Sequence, residues 1–149
     1  LLLTTLTIGG FSLTGLCSAT IQNRNGLKSF SNIGMIISVI GFFITISTIW
    51  EFNDFYNIWQ VMTIFIILSV AIAHASLLFQ IKPKSNNIKH SLIGTIVFIS
   101  LVALMLIKST LTDFNEPEFY FRLLGVFSIL DVLGTIATPI LNRITEKIE

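Results

Sequence analysis

The chain of 149 residues is 53% hydrophobic and only 11% charged, with a mean hydropathy of +0.85. That is too apolar for a soluble domain, in which about 25% of residues would be charged. A net charge of +1 with no basic stripe excludes a nucleic-acid partner, and the single cysteine, Cys17, excludes an intramolecular disulfide, a CxxC redox pair and a Cys/His metal cluster.

The apolar residues gather in five runs, 1–20, 32–50, 59–81, 91–107 and 117–141. Each is near the ~20 helical residues that cross ~30 Å of hydrocarbon at about 1.5 Å per residue. The expected fold is all-α, a single domain over 1–149 built as an integral membrane up-down bundle of five transmembrane helices.

The first run gathers Thr4, Thr5, Gly9, Ser12, Gly15, Ser18 and Ala19 on one half, opposite Leu6, Leu13 and Leu16. Leu16-Cys17-Ser18-Ala19 has the small residues of a signal-peptidase site, but no basic segment precedes it, so a retained helix is expected. With Leu rather than Met at position 1, further residues upstream are expected. The following loop carries Arg24 and Lys28.

In the second run Gly34, Ser38, Gly41, Thr45 and Thr48 recur at spacings of four, three, four and three, which places them on one helical face. Apolar attraction cannot join helices in lipid, so a small-residue face of this kind is where a neighbouring helix should pack. The loop after it has Glu51 and Asp54 but no base, and Trp50, Phe52, Phe55, Tyr56 and Trp59 around it are expected at headgroup depth.

The third run holds His74, about 22 Å from the run's start. Pro83 stops that run, and Lys82, Lys84 and Lys89 mark the next loop as basic. Lys108 stands at the outer end of the fourth run, where it is expected to snorkel. Asn115-Glu116-Pro117-Glu118 reads as the start of the fifth helix, with an N-cap, an early proline and acids where the helix dipole favours them. Arg122 should pair with Glu118 one turn before it. Pro139 is expected to bend or loosen the last turn.

Charge alternates from loop to loop, and Arg143 and Lys147 follow the fifth run, so the basic loops should be cytoplasmic, with the N-terminus out and the C-terminus in. The plasma (inner) membrane is the expected location.

The fifth run carries the polar stripe of greatest chemical interest: Ser128, Asp131, Thr135, Thr138 and Asn142 on one face, with Gly125 and Gly134 beside it. Asp131 lies about 18 Å along the helix from Phe119, near mid-membrane, where a carboxylate costs on the order of 2.5–3.5 kcal/mol. It should therefore be hydrogen-bonded, neutral or cavity-facing, with Ser128 and Thr135 as local relief. His74 lies within about one turn of the same depth, so a His–Asp proton relay between helices three and five is a candidate.

No nucleophile–base set, phosphate-cradling glycine loop or pair of catalytic carboxylates is present in the sequence, so no enzyme activity and no cofactor or metal are expected. Length and helix number resemble those of the tryptophan-rich sensory proteins. With only Trp50 and Trp59 the likeness covers architecture alone, which carries no function. The sequence reads as a non-catalytic accessory or scaffold subunit of a membrane complex, in contact with lipid and with either a membrane-protein partner or a second copy. The alternatives are a proton-coupled small-solute transporter or pore using Asp131, and a lipid- or small-ligand-binding sensor.

Overall fold

The computed structural model describes residues 1–50, 57–83 and 85–148, with side chains through 144. Expectations placed on Glu51, Phe52, Asp54, Phe55, Tyr56, Lys84 and the Lys147 side chain lie outside the described residues. Among the described residues five helices follow one another: α1 Leu2–Ala19, α2 Lys28–Ile49, α3 Ile58–Phe79, α4 Asn86–Leu111 and α5 Glu118–Ile148. No strand occurs among the described residues. All five helices are long and apolar enough to cross a membrane, which is compatible with a small multi-pass membrane protein.

Several helices outrun their apolar stretches, because hydropathy marks where the hydrocarbon ends and not where the backbone ladder does. Helix α2 takes in Lys28, and its ladder is extended backwards by Ser31 N–H donating to Leu27 O at 2.9 Å. Helix α4 begins five residues before the apolar run, at a true cap: Ser85 is extended and its hydroxyl accepts from the Ile88 amide at 3.4 Å. Helix α5 remains helical past Pro139 to Ile148, although the ring removes one amide from the ladder. Its first residue is Glu118, three positions after Asn115, the expected cap. The turns between helices use left-handed backbone at Gly26, Asn57, Asp113 and Phe114.

The chain forms two compact units, Leu1–Leu77 and Leu78–Glu149. In the first, α2 presents Gly34, Ser38, Gly41, Thr45 and Thr48, all buried. Its neighbours meet it in opposite chain sense. Along α1, Ser18 faces Ser31 and Gly34, Thr14 lies 3.2 Å from Ser38, and Phe11 faces Gly41. Along α3, Ile72 faces Gly34 and Phe65 faces Gly41. As one number falls the other rises, so both pairs are antiparallel. Ser31 Oγ donates to Ser18 O at 2.6 Å and ties the α1–α2 turn shut.

Helix α1 uses a different face from the one its composition suggests. Thr4, Thr7, Phe11, Thr14 and Ser18 turn inward, whereas Thr5, Gly9 and Ser12 are exposed. A Cβ on Gly9 or Gly10 would meet nothing within 4 Å. The bulk of Phe11 decides the rotation: its ring sits over Gly41 and packs edge-on against Phe42, with centroids 6.4 Å apart, and it brings Thr7 and Thr14 inward with it.

In the second unit α4 and α5 are antiparallel as well. Ser91 meets Thr138, Thr95 meets Gly134, Phe98 stacks on Phe127 at 5.9 Å, and Tyr120 reaches Met105. Hydroxyl side chains such as Ser18, Ser38, Thr95 and Thr138 are buried, while large aliphatic residues such as Leu104, Ile129, Leu133 and Ile136 point outward. That distribution is the reverse of a soluble core and suits a surface solvated by hydrocarbon.

Candidate functional site

Helix α5 turns Ser128, Asp131, Thr135 and Thr138 toward one side because they fall at three- and four-residue spacings. Asp131 is 9% exposed, and its Oδ1 atom is fully buried. Valine, leucine and isoleucine flank it on the outward faces, Val132, Leu133 and Leu130 among them. The stripe thus places an acid midway along a helix whose other sides are greasy.

The hydroxyls around that acid are largely committed to the helix itself. Ser128 Oγ donates to Leu124 O at 2.8 Å, so its single hydrogen is directed away from the Asp131 side chain. Thr135 Oγ1 donates to the Asp131 carbonyl at 2.8 Å, and Thr138 Oγ1 to Gly134 O at 2.7 Å. The expected local relief of the carboxylate by Ser128 is therefore not what that hydroxyl does. In a membrane helix, bonding to the carbonyl four residues back hides a hydroxyl without a partner helix, and this outcompetes longer reaches.

Two contacts join the stripe to α4. Ser91 Oγ lies 3.0 Å from Thr138 Oγ1, and Thr95 fills the space above Gly134. Ser91 and Thr95, one turn apart, were not singled out by sequence, although their spacing is the same signal that marks the α2 face. His74 is half-buried on α3 within the first unit, and Asp131 belongs to the second.

A polar knot closes the α4–α5 turn. Lys108 Nζ lies 3.2 Å from Glu116 Oε1 and 5.0 Å from the centre of the Tyr120 ring, while Tyr120 OH donates to Met105 O at 2.6 Å. Lys108, expected only to snorkel, thus braces the turn. Nothing in linear spacing pairs Lys108 with Glu116, because the left-handed residues Asp113 and Phe114 bring them together. Arg122 binds Glu118 at 2.6 Å, four residues away on the same exposed face.

Among the described residues no group of three or more His, Cys, Asp or Glu side chains converges as a metal centre would. The arrangement can lock helices together, and its one buried acid can hold a proton. No protein-family model matches the chain, and no curated protein or solved structure matches it either.

Proposed function

We propose that the protein is a non-catalytic accessory or scaffold subunit of a membrane assembly. The observation that carries this reading is the use made of its polar residues. Along α2, α4 and α5 the small and hydroxyl side chains face neighbouring helices or bond to their own backbone, as with Ser38, Thr95 and Thr138. Such groups hold helices at close range in lipid, where apolar attraction cannot. The outward faces of Leu, Ile, Val and Phe are suited to lipid or to the flank of another membrane protein.

Gentle solubilisation followed by native mass spectrometry tests the proposal, since it reports partners and stoichiometry together. The expected result is a complex with another membrane protein or with further copies of the chain. A lone monomer across mild detergents and nanodiscs would overturn it.

The buried position of Asp131 favours one other reading, a proton-coupled carrier or pore in which this acid exchanges protons beside Thr135 and Thr138. In liposomes it requires Asp131→Asn to abolish proton-driven flux while the protein still folds. Unchanged flux would eliminate it.

A further inference from the structure

Between α1, α2 and α3, within the first unit, lies a cleft of about 220 Å³ lined by Leu6, Thr7, Gly10, Phe11, Thr14, Thr45, Ile66, Ser69 and Val70. Leu6 and Val70 at its rim are exposed, whereas Thr45 and Ser69 are buried. Ser69 stands about 16 Å along α3 from Ile58, so the cleft opens well inside the apolar span.

One lining hydroxyl behaves unlike the others. Thr7 donates to Leu3 O at 2.8 Å and Thr45 to Gly41 O at 2.8 Å, so each has spent its hydrogen and keeps lone pairs to offer, while Thr14 is engaged with both Phe11 O at 3.0 Å and Ser38 Oγ at 3.2 Å. Ser69 is 2% exposed, and its Oγ is buried with no hydrogen-bond partner among the described residues. On the same helix Ser76 makes the ordinary bond to the carbonyl four residues back, at 2.8 Å, which Ser69 forgoes. A buried hydroxyl left unsatisfied is costly, the more so where no water is at hand. The cleft therefore offers one unspent donor and several acceptors on apolar walls.

We propose that this cleft binds an uncharged, ring-sized alcohol or phenol dissolved in the membrane, whose oxygen accepts from Ser69 and donates to a threonine lone pair. Size supports the match, because an apolar cavity of about 150 Å³ takes a benzene ring and drug-sized molecules need at least about 300 Å³. Charge supports it too: among the described residues none that lines the cleft is ionisable, and an ion at this depth would be expelled. A molecule with both a donor and an acceptor satisfies Ser69 and a threonine at once, whereas an ether or a hydrocarbon does not. The site requires no partner protein and stands apart from the subunit role.

The test is photolabelling of the full chain in phosphatidylcholine nanodiscs with a diazirine-bearing phenol, competed by 2,6-dimethylphenol or by its methyl ether. Label should concentrate on Phe11, Ile66 and Val70, and the phenol should compete about three- to tenfold better than the ether, the worth of one hydrogen bond. Ser69→Ala should weaken labelling by a similar factor. Gly10→Phe should abolish it by filling the cleft, since a Cβ at Gly10 meets nothing within 4 Å. Equal competition by phenol and ether would overturn the proposal, as would label spread evenly onto outward residues such as Leu104 and Ile129. Should Gly10→Phe fail to fold, Ser69→Ala and the phenol–ether pair still decide.

Discussion

Thr95 occupies the space that any side chain on Gly134 would need: a Cβ there would collide with Thr95 Oγ1 and lie 3.1 Å from its Cγ2. Thr95 cannot swing aside cheaply, because its hydroxyl is bonded to Ser91 O at 2.9 Å and a β-branched side chain has few helical rotamers. Gly134→Ala should accordingly destabilise the α4–α5 pair by about 1–3 kcal/mol, the usual cost of overpacking. Gly125, on the same helix, has open space where its Cβ would go, and Gly125→Ala should be neutral or stabilising by up to about 1 kcal/mol. Thermal unfolding in one detergent measures both, and loss of stability of equal size in the two variants would refute the seam.

The turn between α4 and α5 should depend on Tyr120 more than on Lys108. Tyr120 OH donates to the Met105 carbonyl at 2.6 Å in a part-buried setting, so Tyr120→Phe should cost about 0.5–1.5 kcal/mol. Lys108 is 60% exposed, and screening limits its pairing with Glu116 to a few tenths of a kcal/mol, up to about 1. Denaturant titration of Tyr120→Phe and Lys108→Met gives the order, and a larger loss at Lys108 would show that the ion pair and not the hydroxyl holds the turn.

What the sequence made legible follows from which forces act within one helix. The existence of five helices could be read from hydropathy, and the α2 face from spacing alone, since Gly34, Ser38, Gly41, Thr45 and Thr48 share one side whatever surrounds them. The inward face of α1 could not be read in the same way. Small residues lie on more than one side of that helix, and the choice is made by the fit of Phe11 over Gly41, a contact between segments thirty residues apart. The polar stripe of α5 was visible as a stripe. The direction in which Ser128 spends its hydrogen was not, because a carbonyl four residues back competes with a carboxylate three residues on, and only the folded structure separates them. Ser69 gave no signal at all: a lone serine in an apolar run becomes distinctive only when its neighbours are seen to bond and it does not.

Asp131 should have opposite effects on insertion and on the finished fold. Taken alone, α5 carries a mid-helix acid that costs on the order of 2.5–3.5 kcal/mol to insert, so Asp131→Leu in an isolated α5 segment should raise its insertion efficiency strongly. In the whole chain the same side chain is 9% exposed and takes part in an interaction that a leucine cannot make. Asp131→Leu should therefore destabilise the full protein by about 1–3 kcal/mol, with Asp131→Asn closer to neutral. Glycosylation mapping reports the first quantity and unfolding in detergent the second. A change of the same sign in both would mean that Asp131 makes no contribution to packing.

The sidedness of the chain is the remaining prediction, and it follows from where the bases lie. Seven of the nine Lys and Arg residues, Arg24, Lys28, Lys82, Lys84, Lys89, Arg143 and Lys147, fall near the ends expected in the cytoplasm. The other two, Lys108 and Arg122, each sit against an acid, Glu116 at 3.2 Å and Glu118 at 2.6 Å. Basic loops are retained on the cytoplasmic side during insertion, and short loops obey this bias most closely. In a Cys17→Ala background, single cysteines at Asn25 and Asn87 should be shielded from an impermeant thiol reagent added to intact cells and should react after permeabilisation. Cysteines at Asn57 and Asp113 should react without it. Reaction of the cysteines at positions 25 and 57 from the same side would mean that α2 does not cross the bilayer, and reversal of all four positions would invert the orientation while keeping every crossing.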